Sequence, residues 1–206
     1  MVVVAGLVVL GACSGGDDDS GDDGPRTVQP GAPGEEGREL SDEEAGEIEA
    51  PAHVPADTEF VQGMIAHHQQ ALAMVALVDD RTDRDDIPVL AERIRVSQTD
   101  EIARLETWLT DRGEDVPAAD AHQHHELMPG MATPEQLAGL EAASGPAFDR
   151  SFLELMITHH QGAVAMVVQL YEDGGGLEPV VDGLARDVEA DQNIEIGRMQ
   201  DLLATL

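Results

Sequence analysis

The chain holds 206 residues, with 42 Asp and Glu against 11 basic residues, all of them Arg, and a formal net charge of −31. Such a charge argues against any nucleic-acid partner or electrostatic docking on anionic lipid, while 42% hydrophobic but only 2% aromatic residues favour a helical core over a β-sandwich or barrel. A single cysteine excludes disulfide frameworks and Cys-based zinc or iron–sulfur sites, so eight His and eight Met are the feature to explain.

Residues 1–13 form a short apolar run ending Leu10-Gly11-Ala12-Cys13, the pattern of a bacterial lipoprotein signal peptide with Cys13 as the lipidated residue. The run is too short to span a bilayer, so the expected membrane contact is a lipid anchor. No Lys or Arg precedes it, and the translated start is expected further upstream. Residues 14–50 carry 13 acidic residues, two Arg, eight Gly and three Pro. They have too little apolar surface to offset the entropy of ordering and read as a disordered acidic linker.

Residues 51–206 read as one all-α domain built by duplication. Residues 60–77 and 152–169 match at ten of eighteen positions at an offset of 92, sharing Met-Ile-x-His-His-Gln and Ala-x-Ala-Met-Val. Gln98, Glu101, Ile102 and Arg104 recur at an offset of 94 as Gln192, Glu195, Ile196 and Arg198. Each repeat, about 57–113 and 149–206, is a helix pair, and two pairs make a four-helix bundle. The first helix is expected from Asp57 to Asp80 and the second from Pro88 to the Gly113 stop. A short helix opens at Thr133-Pro134-Glu135-Gln136, a capping-box pattern. The third long helix is expected from near Asp149 to Gly174, and the fourth from Pro179 almost to Leu206.

At 100° per residue, Phe60, Met64, His67, His68, Ala71, Met74 and Val75 fall within about 120° of helix surface, so both imidazoles lie in the apolar stripe. Phe152, Met156, His159, His160, Ala163, Met166 and Val167 repeat the arrangement. The partner helices carry a complementary oddity. The seams Leu90, Ile94, Gln98, Glu101, Leu105, Trp108 and Leu184, Val188, Gln192, Glu195, Met199, Leu202 each hold two polar residues. Buried polar groups need partners, and two arrangements supply them. In one, Glu101 and Glu195 accept hydrogen bonds from the histidines and fix the register of a metal-free interaction module. In the other, imidazole nitrogens and the Met64, Met74, Met156 and Met166 thioethers bind a soft or borderline metal, with the Glu–Gln pairs beside them as support or occasional ligands. Thioethers select copper, above all Cu(I). The connection between repeats adds His122, His124, His125, Glu126, Met128 and Met131, a second set of metal-binding residue types.

The pattern Phe148-Asp149-x-x-Phe152-x-x-x-Met156-Ile157-x-His159-His160-Gln161-x-Ala163, with Met128-x-x-Met131 before it and Gln192-x-x-Glu195-Ile196 after it, resembles the bacterial proteins grouped as domain of unknown function 305. The resemblance covers about residues 54–206. It implies a ferritin-like four-helix fold, an exported or membrane-associated location and, for some members, copper binding. Carried over, it implies Met64, His67, His68, Met74, Met156, His159, His160 and Met166 as ligands, with the His122 to Met131 connection as an accessory. Where a di-iron bundle would place His three residues after each Glu, Arg104 and Arg198 stand instead, which argues against ferroxidase chemistry. The sequence therefore reads as a lipoprotein outside the cytoplasmic membrane that captures or buffers copper and is not an enzyme. A metal-dependent oxidoreductase of the same fold is the alternative reading beside the metal-free module.

Overall fold

The structure, a computed structural model, describes residues 28–29, 34, 36–41, 43–44, 51–118 and 128–206. Cys13 with its signal-like run, and His122, His124, His125 and Glu126 of the connection, lie outside the described residues. Residues 1–50 and 51–206 separate into two compact units. In the first, β1 (Val28–Gln29) pairs antiparallel with β2 (Arg38–Glu39), with Val28 opposite Glu39. Arg38 and Glu44 form an ion pair at 2.6 Å, and Ser41 caps the same carboxylate. The acidic linker thus contains a local turn, in which Arg38 and Ser41 donate to the Glu44 carboxylate.

The second unit is helical: α1 (Pro55–Val75), α2 (Asp86–Arg112), the short α3 (Pro134–Ala142), α4 (Gly145–Glu172) and α5 (Pro179–Leu203). The C-terminus of α2 follows its sequence signal, with Gly113 at φ 70° and the Glu114 N–H donating to the Leu109 carbonyl at 2.9 Å. Thr133 caps α3 as the capping box requires, accepting from the Gln136 N–H while Gln136 Oε1 accepts from the Thr133 N–H.

Two boundaries differ from the sequence reading. Helix α1 stops at Val75 rather than Asp80 because the chain changes to three-residue turns that bury Val78, and Arg81 is pinned to the Glu141 carbonyl and to the Gly145 N–H. Helix α4 starts at Gly145, four residues before Asp149; Pro146 is tolerated in its first turn, and Phe148 stacks on Phe152 with centroids 5.8 Å apart. Burial of that aromatic pair outweighs the capping signal at Asp149.

In the bundle, α1 packs against α2 and α4, and α5 packs against α4 and α2. The core is divided in two. One cluster joins Phe60, Met64, Leu105, Trp108, Met166, Leu170, Val181 and Leu184 with their neighbours; the other joins Phe152, Met156, Met74, Val78, Ile87, Leu90 and Met199 with theirs. Equivalent residues of the two repeats sit in opposite clusters. Phe60 and Met64 answer to Phe152 and Met156, Leu105 to Met199, Met166 and Leu170 to Met74 and Val78, and Val181 and Leu184 to Ile87 and Leu90. A pseudo-two-fold perpendicular to the bundle axis exchanges the clusters, and neighbouring helices run antiparallel.

Asp57 ties one end together: Oδ2 accepts from the Val54 N–H at 2.9 Å and Oδ1 from the Gly176 N–H at 2.6 Å, in a site with no exposed surface. Replacing it leaves two backbone donors without a carboxylate acceptor. Asp57→Ala is therefore expected to lower unfolding free energy by about 3 kcal/mol in urea titration. A loss under about 1 kcal/mol would show that these donors find other partners.

Candidate metal site

Between the two apolar clusters lies a polar layer. His67, His68, Gln98, Glu101, His159, His160, Gln192 and Glu195 are all at most 4% exposed, so the stripe-and-seam placement read from the sequence holds for every one of them. The helices deliver them in symmetric pairs. His68 Nε2 meets Glu101 Oε2 at 2.5 Å, and its equivalent His160 Nε2 meets Glu195 Oε2 at 2.7 Å. His67 and His159 lie on the pseudo-two-fold, their ring centroids 3.7 Å apart and the planes tilted by 37°.

The hydrogen bonds decide which ring nitrogen remains available. Pro129 O lies 3.0 Å from His67 Nε2, and since a carbonyl only accepts, that nitrogen carries the proton. Nδ1 of His67, His68 and His160 is in each case buried without a partner, and both nitrogens of His159 are. Histidine ligands to metals usually donate their second N–H to a carboxylate or a carbonyl, which fixes the ring and aims the other nitrogen. Three of the four imidazoles have that arrangement. The amide groups of Gln98 and Gln192 are also buried with neither end partnered.

Burial sets the charge on the central pair. Desolvation, with the neighbouring His68 adding to it, pushes the His67 pKa down to about 3 against a weaker opposing effect of the Pro129 carbonyl. Desolvation and the positive charges that His67, His160 and His68 would carry push His159 well below the ordinary histidine value, against a weaker opposing effect of the His67 backbone. Both rings are neutral at pH 7, the form that binds metal. Asp191, at the solvent side of the layer, is pushed up by partial burial and by Glu101 and Glu195.

The donors do not form a finished cage. Among the described residues no three His, Cys, Asp or Glu side chains are placed to hold one ion. A ring nitrogen's lone pair lies in the ring plane, so the stacked His67 and His159 rings direct theirs past one another. Met64 and Met156, fully buried, stand one turn before the histidines of their own helices, and Met74 and Met166 two turns after, inside the apolar clusters. Met131 is 7% exposed, and Met128 packs against the first cluster.

Sequence reasoning missed the backbone that closes the layer on one side. Residues 128–132 lie in the groove between α1 and α4. Gln70 Nε2 donates to the Ala132 carbonyl at 3.0 Å while its Oε1 accepts from the Ala132 N–H at 2.7 Å. Gly162 contacts Pro129 so closely that a Cβ there would lie 1.9 Å from its oxygen. One signal was present: Gln70 and Gly162 are equivalent positions that differ between the matched Met-Ile-x-His-His-Gln and Ala-x-Ala-Met-Val stretches.

The depressed His67 and His159 values have a consequence for stability. The unfolded chain takes up protons near pH 6.5 that folded His67 refuses until about pH 3 and that folded His159 also resists, so stability is present above pH 6.5 and falls as pH drops below it. Between pH 7.5 and 5.5, where carboxylates titrate little, the melting temperature of the metal-free protein is expected to fall. The double variant His67→Gln, His159→Gln should lose most of that slope in the same melting series. An unchanged slope would mean these rings already charge in the folded state.

The DUF305 family profile, a domain of unknown function, matches residues 57–203. The fold resembles a DUF305 fragment from Deinococcus radiodurans at 35% identity and TM-score 0.65, covering 76% of this chain and all of that one. It also resembles a DUF305 protein of Streptomyces coelicolor, described as a candidate secreted protein, at 33% identity and TM-score 0.64 over 73% and 93% of the two chains. CopM in its Cu(I)-bound form is similar at 29% identity and TM-score 0.58 over 72% and 96%; structures of CopM with Cu(II) and with Ag match comparably. No curated protein sequence matches the chain. The extent of the profile match and the fold together place this chain in the DUF305 family.

Proposed function

We propose that the protein binds copper outside the cytoplasm and holds it in the polar layer, acting as a capture or buffering protein rather than an enzyme. The observation that carries this reading is the set of buried, unpartnered Nδ1 atoms behind Nε2 groups held by Glu101, Glu195 and Pro129 O. Neutral imidazoles and thioethers are donors for Cu(I), and CopM, which shares the fold, is known in copper- and silver-bound forms. Binding requires the His67–His159 stack to open, which exchanges an aromatic contact for metal coordination. Met64, Met74, Met156 and Met166 are the thioethers nearest in sequence to these rings, and Met128, Met131, His122, His124 and His125 of the connection add further donor types. A net charge of −31 raises the local concentration of cations, an advantage that salt erodes.

A second reading has its own support. The direct His68–Glu101 and His160–Glu195 bonds, with no three-ligand cage among the described residues, suit a metal-free structural layer. Paired substitutions separate the two. Changing His67, His68, His159 and His160 together should abolish tight Cu(I) binding in competition with a chelator if the layer is the site. If it is purely structural, Cu(I) affinity stays as in wild type and only apo stability changes, by the 3–5 kcal/mol that follows loss of a buried partner. Met64→Leu with Met156→Leu nearly conserves volume and should shift stability by less than about 1.5 kcal/mol while weakening Cu(I) selectively.

Location is part of the proposal. Among the described residues no helix is long and apolar enough to cross a membrane, and a family member is described as a candidate secreted protein. Anchoring then depends on Cys13, through acylation after the Leu10-Gly11-Ala12 run. Cys13→Ser is expected to shift the protein out of the membrane fraction or leave it unprocessed. Unchanged fractionation and mobility would remove the anchor.

A further inference from the structure

We propose that Gln70 is a positioning residue for the metal site: by clamping residues 128–132 into the groove between α1 and α4, it holds the Pro129 carbonyl on His67 and fixes Nδ1 as that ring's free donor. This inference rests on the metal-binding reading of the layer.

The clamp is specific to a primary amide. Gln70 is 2% exposed and uses both ends of its side chain on one residue, accepting from the Ala132 N–H at 2.7 Å and donating to the Ala132 carbonyl at 3.0 Å. That is the pairing a neighbouring strand would offer, supplied by a side chain. Leu cannot make either bond, and Glu can make only the first. Gln98 and Gln192, equally buried in the same layer, have neither end partnered, so double engagement is not a general property of its glutamines.

The opposite wall of the groove is shaped for the same segment. A Cβ on Gly162 would lie 1.9 Å from Pro129 O, and one on Gly130 would lie 2.4 Å from Thr158 O and 2.8 Å from the Gly162 Cα. Gly130 also has φ 76°, a conformation that side chains disfavour. At the near end, Met128 Sδ and Met166 Cε each lie 3.2 Å from the position a Gly63 Cβ would take. Gly63, His67 and Gln70 form one stripe of α1, and Thr158, Gly162 and Met166 one stripe of α4. Backbone and side chains of residues 128–132 touch both.

The two-fold makes the consequence legible. His67 and His159 are equivalent, as are Gln70 and Gly162, but a single segment cannot serve both halves. It bonds His67 through Pro129 O and leaves both nitrogens of His159 unpartnered. His67 is therefore a donor of fixed tautomer, and His159 has no corresponding bond to this segment.

The test uses the full chain with 15N-labelled histidine. Long-range proton–nitrogen spectra of the metal-free wild type should show His67 protonated at Nε2. Gln70→Leu and Gly162→Ala attack the segment from opposite walls, and each should mix the His67 tautomers and speed exchange of the Ala132 amide. Each should also weaken Cu(I) binding about tenfold in chelator competition, the effect typical of losing a residue that orients a ligand. Because both act through one segment, the double variant should bind no more weakly than the weaker single variant. A His67 that stays protonated at Nε2 in both variants, or losses that add in the double variant, overturns the proposal. If Gly162→Ala fails to fold, the tautomer and amide exchange of Gln70→Leu decide alone. If the wild type binds no copper, the proposed function fails, while the metal-free spectra still decide the role of Gln70.

Discussion

Everything in this bundle is arranged around four imidazoles placed where an ordinary helical core would put Leu. The two His–Glu bonds engage Nε2 of His68 and His160, and the Pro129 carbonyl engages Nε2 of His67. Whatever protonation state His68 and His160 take, their Nδ1 atoms are left without partners, as are the Gln98 and Gln192 amides. Each unmet buried group costs about 1–3 kcal/mol. The apolar clusters on either side must supply that stability, and their symmetric use of Phe60 and Phe152, Leu105 and Met199 shows how the duplication provides two equal cores to hold one polar plane.

The repeat was the most informative feature of the sequence. It predicted the helix pairs and the burial of all eight layer residues, and offered the two His–Glu contacts as one of two arrangements, because residues 3, 4 and 7 apart share a helix face whatever the tertiary details. Less legible was what depends on distant chain. The early stop of α1 reflects Arg81 reaching the Glu141 carbonyl and the Gly145 N–H, and the early start of α4 reflects Phe148 stacking on Phe152. Neither contact leaves a local signal as strong as a cap. The close, tilted packing of His67 on His159 was also invisible, since helical periodicity says which side a residue faces but not which ring lies opposite.

The connection between repeats breaks the symmetry that the duplication creates. Met128, Pro129 and Gly130 cross from one repeat toward the other, and α3 follows under its Thr133 cap. One copy of the motif met this segment with an amide and the other with a glycine. A symmetric pair of histidines thereby became an unequal pair.

The central claim is that copper is held by the layer imidazoles, and Cu(I) is diamagnetic, so its ligands can be read directly. The most direct measurement is the set of histidine 15N shifts before and after one equivalent of Cu(I). The account requires the Nδ1 signals among His67, His68, His159 and His160 to move by the large amounts typical of direct coordination, with Nε2 of His68 and His160 still bonded to Glu101 and Glu195. Movement confined to the histidines outside the layer, with the four layer histidines unchanged, would contradict it and leave the polar layer a structural feature.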